Sequence, residues 1–471
     1  MTLMFTLLLT LAALVTASGV YHRYRPLPPG MGHSHPWRRA SEVRFLADYP
    51  RPRQPLPCSS AIVPASLSLI RQARHHLRMD NFLFNADQGD QPQHLPLTDT
   101  VTSALRVRAR EGVRIDLISD PINTLYGAHW PAHFVQLEQA GLTIRITDLR
   151  ALRDSNPLWS ALWRLSLAPF TNLAATGQAA RGGWLPGPFG PHRMTLRSWL
   201  ALPNFKANHR KTLVVDGRHG LVSSANLHDA SSNHHNVGLR FSGPVCRDLL
   251  HSESAVMAFS GGDPRPPAPD PEPDSVQALP RLRLLTEAAI RDALLAVIQQ
   301  ARPGERLRLA LFYLSHRRLI RALRQAHQRG VVVQLLLDPN RDAFGRQKSG
   351  MPNRPVASEL HRAGIAVRWV RTHGEQFHSK LLLAEKPDHG DLLLGSANFT
   401  RRNLDNLNLE SAVQWQAPPE DGAIRDASDW FDTLWKNRNG EWSLDYHQYR
   451  DHRCYRYWLY RLMEASGCCT F

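Results

Sequence analysis

An internal repeat constrains the fold of this chain more than any other feature. "ALRVRAREGVRIDLISDP" at residues 104–121 and "ALRQAHQRGVVVQLLLDP" at 322–339 carry Ala, Leu, Arg, Gly, Val, Leu, Asp and Pro in the same register. In both copies a helical period ends at a glycine and a β-branched run follows, which is typical of a helix-to-strand unit. "LEQAGLTIR" (137–145) and "LHRAGIAVR" (360–368) then repeat the unit. The sequence therefore predicts an internally duplicated α/β fold.

Proline-rich segments divide the chain around the two repeats. "GGDPRPPAPDPEPD" at 261–274 has six prolines among fourteen residues, which excludes a helix or a central strand. We predict a membrane anchor or signal segment at 1–22, a Pro/Arg-rich tether at 23–57, a first repeat at 58–260, a linker at 261–279, a second repeat at 280–440 and a C-terminal tail at 441–471.

The first repeat contains an insertion. Gly141 precedes His209 by 68 positions, whereas Gly364 precedes His378 by 14, a difference of 68 − 14 = 54 residues. The extra segment, at about 150–203, contains Trp159, Trp163, Trp184 and Trp199. Tryptophan set among leucine and arginine suits a water–lipid interface. The segment is compatible with two interpretations: a lid that faces a membrane, or a buried subdomain.

The N-terminus predicts contact with a membrane. "LMFTLLLTLAALVTASGV" at 3–20 is eighteen residues without a charge, and "YHRYR" follows it. This length can span a bilayer. Arg23 and Arg25 favour an anchor whose following body lies in the cytoplasm. A signal segment that is cleaved after export is the alternative.

Charge and cysteine content restrict the partners. The chain has 57 Lys+Arg against 41 Asp+Glu, a net charge of +16, which predicts an anionic partner: nucleic acid or an anionic membrane surface. The five cysteines show no CxxC spacing, so neither a disulfide framework nor a zinc site is indicated. We expect no metal and no cofactor.

One short motif occurs in both repeats. "NHRKTLVVDG" (208–217) contains His209, Lys211 and Asp216, and "FHSKLLLAE" (377–385) contains His378 and Lys380. Residues i and i+2 of a strand share a face, so each histidine points the same way as its lysine. "SSAN" (223–226) follows the first motif and "GSAN" (395–398) the second.

Such a set of side chains suits phosphodiester chemistry. Lysines, hydroxyls and amides form a cradle for a phosphate. Two histidines on opposite sides of a phosphorus atom can share the work, one as nucleophile and one as general acid and base. The lysines supply the charge neutralisation that a magnesium ion otherwise provides.

The paired His-x-Lys-x4-Asp motifs with trailing Gly-Ser-x-Asn resemble the phospholipase D superfamily. The resemblance extends over both repeats, about 60–417, and implies two α/β repeats with mixed β-sheets, flanked by helices, around a pseudo-two-fold axis with the active site at their junction. It implies His209 as nucleophile and His378 as general acid and base. The catalytic set is His209, Lys211, Asp216, His378, Lys380, Glu385 and Glu410, and the phosphate-binding set is Ser224, Asn226, Ser396 and Asn398.

The chain departs from the family pattern at three places. Ser223 begins the first "GSxN" motif in place of glycine. Glu385 stands where the family has aspartate, and nine rather than six residues separate it from "GSAN". In the family a carboxylate downstream of each motif orients the histidine of the opposite half. Glu410 fits that role for His209, whereas the matching position for His378 falls near Asn236, which is neutral.

The apolar N-terminus, the Trp-rich insertion and the basic charge favour lipid as the substrate. The chain is similar to the cardiolipin synthase-like, phosphatidyltransferase branch of the superfamily, which implies phosphatidyl transfer or phospholipid hydrolysis at a bacterial inner membrane. The rivals are a membrane-tethered nuclease and a non-catalytic membrane-binding scaffold. Because both motifs lie in one chain, we expect a monomeric active unit.

Overall fold

The computed structural model describes residues 2–48, 61–86, 94–166, 183–187, 190–264, 275–343, 346–469 and 471. The helices in these ranges are α1 (Thr2–Tyr24), α2 (Ile62–Gln72), α3 (Leu97–Arg110), α4 (Ala132–Gln139), α5 (Pro157–Ser166), α6 (Leu196–Ala201), α7 (Val245–Phe259), α8 (Ala288–Gln300), α9 (Arg317–Gln328), α10 (Asn353–Arg362), α11 (Arg401–Leu404), α12 (Gly422–Trp435) and α13 (Cys454–Ser466).

The strands are β1 (Ser41–Ala47), β2 (His76–Asn81), β3 (Arg114–Ser119), β4 (Thr143–Ile146), β5 (Leu185–Pro186), β6 (Arg193–Met194), β7 (Lys211–Val215), β8 (His219–Ser223), β9 (Val237–Ser242), β10 (Arg281–Thr286), β11 (Arg306–Leu311), β12 (Val332–Leu337), β13 (Asp342–Ala343), β14 (Arg346–Gln347), β15 (Ala366–Val370), β16 (Lys380–Glu385), β17 (Gly390–Gly395), β18 (Ser411–Ala417) and β19 (Ser443–Asp445).

Two large mixed sheets, one from each repeat, have the same strand order. The first sheet runs β1-β9-β8-β7-β2-β3-β4, and the second runs β10-β18-β17-β16-β11-β12-β15-β19. In both, three strands are parallel (β2-β3-β4 and β11-β12-β15) and the others pair antiparallel. The sheets therefore match strand for strand, apart from the additional β19, and the predicted duplicated α/β fold is confirmed.

The two sheets share a core. One hydrophobic cluster joins Phe241 and Leu239 of β9 to Leu282 of β10 and to Trp415 of β18. Separate clusters cover the outer faces, beneath α2, α3 and α4 in the first repeat and beneath α8, α9 and α10 in the second. Strands buried on both faces carry continuous apolar runs, as "LLLA" in β16 does.

The N-terminal boundary of the first repeat differs from the prediction. Part of the predicted tether, at 41–47, forms β1, which pairs antiparallel with β9 and occupies the sheet position that β10 has in the second repeat. His35 N–H and Arg38 N–H bond to carbonyl oxygens of β10. The tether interpretation is therefore wrong for this part: a strand can pair with a partner far along the chain, which proline and arginine content does not reveal.

The C-terminal residues are also integrated. β19 pairs with β15, and α13 packs with Tyr460 buried against the second repeat. The predicted tail thus belongs to the second repeat. Most of the predicted linker, at 265–274, lies outside the described residues.

The insertion is partly buried and partly exposed. Trp163 on α5 is buried, whereas Trp184 is exposed. Trp159 and Trp199 donate their indole N–H to the Leu200 and Pro186 carbonyl oxygens, at 3.1 and 2.8 Å. The segment at 167–182 lies outside the described residues, and so does 188–189. Within the described residues one helix, α1, is long and apolar enough to cross a membrane.

Candidate active site

His209 and His378 lie at equivalent points of the two sheets. Each histidine lies two residues before a lysine that begins a central strand of its sheet. Lys211 is the first residue of β7, and Lys380 is the first residue of β16. All four side chains are buried. The structure brings both predicted His-Lys pairs to the same end of their sheets.

A buried aspartate fixes each histidine loop. Asp120, which follows β3, accepts the Asn208 N–H at 2.7 Å, and Asp338, which follows β12, accepts the Phe377 N–H at 2.7 Å. Both donors belong to the residue just before a histidine. These aspartates are the repeated "DP" of the sequence, whose contact with the histidine loops was not predicted.

The loops meet across the boundary between the repeats. His209 N–H donates to the Leu409 carbonyl oxygen at 2.9 Å, and His235 N–H donates to the Gln376 carbonyl oxygen at 3.0 Å. Each histidine-bearing segment therefore pairs with a segment of the opposite repeat, and the candidate site lies at the junction.

This pairing places one orienting side chain beside each histidine. Nδ1 of His209 lies 3.0 and 3.1 Å from the two carboxylate oxygens of Glu410. Nδ1 of His378 lies 3.2 Å from the amide oxygen of Asn236. An Nδ1–H donated to either oxygen leaves Nε2 of the same ring without its proton and available for chemistry. Glu410 thus lies where the resemblance implied, and Asn236 takes the equivalent position.

The predicted serines support these orienting groups. Ser224 donates to the Asn236 amide oxygen at 3.3 Å and accepts the Val237 N–H at 3.0 Å. Ser396 donates to Glu410 and accepts the Ser411 N–H at 3.1 Å. The two hydroxyls are thereby engaged with the residues that hold the histidines, rather than left facing a phosphate.

The predicted asparagines are arranged differently. The amide oxygens of Asn226 and Asn398 are buried, and neither has a hydrogen-bond partner within the described part of the chain. Buried polar atoms are seldom left unpaired. Two equivalent carboxamides with unused hydrogen-bonding capacity are therefore suited to a polar ligand.

Aromatic rings line the lysines. Lys211 Nζ lies 5.0 Å from the centre of the Phe82 ring and Lys380 Nζ 5.2 Å from that of Phe312. Each Nζ also donates to the carbonyl oxygen of its own histidine, at 2.7 and 2.6 Å. The two phenylalanines follow β2 and β11 and were not singled out from the sequence, where nothing marks an aromatic residue as a site wall.

Asp216 is not part of this group. It follows β7 and lies five positions after Lys211, which is about 16 Å along an extended strand. Its carboxylate accepts backbone N–H groups of Arg74, His75 and His76. Its assignment to the catalytic set is corrected: it anchors the turn that precedes β2.

Glu385 is likewise remote from the histidines. It ends β16, at the opposite end from Lys380, and accepts hydrogen bonds from Arg306 at 3.0 Å and Ser428 at 2.7 Å. Its assignment is corrected too. In both motifs the acidic residue matches the motif, but a strand of five or six residues separates it from the histidine and lysine at the other end of the strand.

Burial dominates the electrostatics of the site. Desolvation lowers the pKa of His209 to about 4 although Glu410 opposes the shift, and Lys211 lowers it further. Desolvation also lowers the pKa of Lys211 to about 7. The pKa values of His378 and Lys380 lie well below their usual ranges, mainly through burial and then through neighbouring lysines. An anion in the site would reverse these shifts.

A third histidine lies beside His378. The ring centre of His234 is 6.0 Å from that of His378, and its Nδ1 accepts the Gln376 N–H at 3.3 Å. Desolvation lowers its pKa to about 3, so the ring is neutral. His234 belongs to the sequence "NHHN" at 233–236 and lines the site. Within the described ranges no three His, Cys, Asp or Glu side chains are grouped to hold a metal.

Comparisons with known proteins agree with the fold. Residues 294–435 match the family model described as cardiolipin synthase, PLD-like domain. The structure is similar to phosphatidylserine synthase of Haemophilus influenzae, with a TM-score of 0.56 and 11% identity over 96% of this chain and 97% of that one. No curated protein sequence matches the chain significantly.

Two further solved structures are more distant. Polyphosphate kinase of Porphyromonas gingivalis has a TM-score of 0.46 and 13% identity, over 90% of this chain and 53% of that one. The phospholipase D family member Nuc of Salmonella typhimurium has a TM-score of 0.29 and 20% identity, over 36% of this chain and 99% of that one.

Proposed function

We propose that the chain belongs to the phospholipase D superfamily and is a membrane-associated enzyme that cleaves a phospholipid phosphodiester and transfers the phosphatidyl group to an alcohol. Hydrolysis is the same reaction with water as the acceptor. One observation carries the proposal: two histidines, each fixed at Nδ1 by a side chain of the opposite repeat, present Nε2 beside a lysine in a buried site.

The first half of the reaction uses both histidines. Nε2 of His209 attacks phosphorus, and a P–N bond forms as the P–O bond to the departing alcohol breaks. His378, which is protonated at both ring nitrogens once the anionic substrate has raised its pKa, gives its Nε2 proton to the departing oxygen. Glu410 supports this assignment of roles, since a carboxylate at Nδ1 stabilises the positive charge that the attacking imidazole acquires.

The second half reverses the proton transfer. The acceptor alcohol gives its proton to His378 and attacks phosphorus, and the P–N bond to His209 breaks. The proton and the phosphatidyl group are then both accounted for. Lys211 and Lys380 neutralise the phosphate oxygens in both halves of the reaction. The negative charge of the phosphate raises the pKa of each lysine and so favours its charged form.

Burial of the site favours an alcohol acceptor over water. Exclusion of water protects a reactive intermediate from hydrolysis, and the exposed fractions of Lys211 and Lys380 are only 2% and 1%. α1, which is apolar along its length, favours a lipid substrate over nucleic acid because it would keep the enzyme at a bilayer.

Mass spectrometry of lipid products tests the proposal. The purified full chain is reconstituted in phosphatidylglycerol vesicles, beside His209→Ala. We expect wild type to form a bis-phosphatidyl lipid and free glycerol, or phosphatidic acid if water is the acceptor, and His209→Ala to form neither. Lipid turnover that persists in His209→Ala would refute the mechanism.

A parallel incubation with single-stranded DNA separates the rivals. The net charge of +16 also suits a nuclease. If wild type cleaves DNA and leaves the lipid unchanged, the membrane-tethered nuclease replaces our proposal. If wild type converts neither substrate, a non-catalytic scaffold is the better description.

A further inference from the structure

The C-terminal helix α13 has an inner face that is buried and an outer face that is apolar and exposed. Its inner face packs on the second repeat through Tyr460, whose hydroxyl accepts a hydrogen bond from Arg317 at 2.8 Å, and through Glu464, which accepts from Ser315. Its outer face presents Tyr455, Trp458, Leu459 and Leu462, with exposed fractions of 56%, 68%, 40% and 66%.

The four exposed residues form one stripe, which we call the α13 stripe. Their spacing is i, i+3, i+4 and i+7, which places them on a single face of a helix. Single exposed apolar residues are common, but a contiguous row that includes tryptophan and tyrosine marks an interaction surface. Nothing in the described part of the chain packs over it.

Position in the fold indicates what covers the stripe. The end of α13 abuts the loop before α5: a side chain at Gly467 would collide with the Ser155 carbonyl oxygen. α1 meets the same place, because a Cβ at Gly19 would lie 3.3 Å from the Pro157 carbonyl oxygen and Arg23 donates to the Asp154 carbonyl oxygen at 2.8 Å. The end of the membrane-spanning candidate and the end of α13 are therefore neighbours at 154–157.

The surroundings have the chemistry of a bilayer surface. α5, which packs on α1, exposes Leu158, Leu162 and Leu165. Arg450 and Arg453, at the start of α13, are exposed, while the single acidic residue of the helix, Glu464, is buried. Aromatic and aliphatic side chains flanked by arginine suit the headgroup region of an anionic membrane.

We propose that the α13 stripe lies in the headgroup region of an anionic phospholipid bilayer, alongside α5 and the end of α1. This contact surface rests on the proposed lipid function and extends it, since it would hold the body of the enzyme at the bilayer independently of α1. A second copy of the chain is the alternative occupant.

Quenching by brominated lipid tests the contact directly. The full chain is reconstituted in vesicles of phosphatidylglycerol with or without bromine on the acyl chains near the headgroups, and Trp458→Phe is compared with wild type. We expect the difference in emission between the two proteins, which isolates Trp458, to be quenched by the brominated lipid. Trp369→Phe is the control, since Trp369 is fully buried in the second repeat and its difference emission should not be quenched.

The same experiment separates this proposal from the enzymatic one. His209→Ala should retain the quenching of Trp458, because its substitution leaves α13 intact. The double change Trp458→Asp, Leu462→Asp should raise the apparent KM for bilayer phosphatidylglycerol at least about tenfold and leave turnover of a monomeric short-chain lipid unchanged. Val107→Asp, at an exposed position on the outer face of α3, is the control for an added charge and should leave both unchanged.

Unquenched Trp458 would overturn the surface even if lipid turnover is normal. A dimer in detergent that the double change dissociates, without quenching, would assign the stripe to a second copy and also overturn the proposal. Quenched Trp458 without any lipid turnover would refute the proposed function and leave the surface standing.

Discussion

Glu410 and Asn236 occupy equivalent positions at the two histidines and differ by one negative charge. Glu410→Gln keeps an oxygen acceptor for Nδ1 of His209 but removes the charge that, in the proposed mechanism, stabilises the phosphorylated ring. We expect kcat to fall about 10- to 100-fold with little change in KM, measured by initial rates on phosphatidylglycerol. A KM effect alone would show that Glu410 serves substrate binding instead.

Asn236→Asp is the complementary change. A carboxylate beside Nδ1 of His378 raises the pKa of that ring, so the ring keeps its proton to higher pH. In the proposed mechanism His378 is the acid toward the leaving alcohol, so the alkaline limb of the kcat profile should move to higher pH. An unshifted profile would argue against His378 as the proton donor.

The pH dependence of kcat/KM reports the free enzyme. His209 must be neutral to attack, so activity should rise as pH increases through its pKa of about 4. Lys211 must be charged to bind phosphate, so activity should fall as pH increases through its pKa of about 7. Lys211→Arg, which stays charged, should move the alkaline limb upward; a limb that stays in place would assign it to another group.

The site residues that could be predicted are those whose positions follow from short sequence motifs. The alternation of a strand is sufficient to align each histidine with its lysine, and the repeat is sufficient to pair the two motifs. The assignments of Asp216 and Glu385 to the site were wrong because the motif spacing does not show that a whole strand separates them from the histidines. Asp120 and Asp338 had a repeated signal, but their bonds to the histidine loops are long-range.

At the scale of elements, the carboxyl ends of β3 and β12 hold the loops that carry His209 and His378. Asp338 accepts the Phe377 N–H with one oxygen and the Asn340 N–H with the other. Asp338→Asn turns an NH2 group toward one of these donors. We expect unfolding free energy to fall by about 1–3 kcal/mol in denaturant titration and kcat to fall with it. An active, equally stable variant would show that the loop is held by other contacts.

Helix-to-strand units were predicted from their own periodicity, and β1 and β19 were not. Both of the missed strands lie at sheet edges and pair with partners far along the chain, β9 and β15. β19 has only three residues, and the alternation in β1, where Glu42 and Arg44 alternate with apolar residues, is too short to distinguish it from a loop. Local pattern thus defines the centre of each sheet, whereas tertiary pairing defines its edges.

At the scale of the molecule, both histidines of one site come from one chain. We therefore expect that mixing His209→Ala with His378→Ala restores no activity, because neither chain can complete the other's site. Product formation by the mixture, compared with each variant alone and with wild type at half concentration, is the measurement. Restored activity would indicate exchange of repeats between two chains.

The cross-repeat contacts have an evolutionary consequence. His209 depends on a residue 201 positions away and His378 on one 142 positions away, each in the other half. Neither half can drift alone, because a substitution near 236 or 410 changes the proton affinity of a ring encoded by the opposite half. Related sequences should therefore show correlated changes between the halves at these positions, with the Glu/Asn difference following the separate roles proposed for the two histidines.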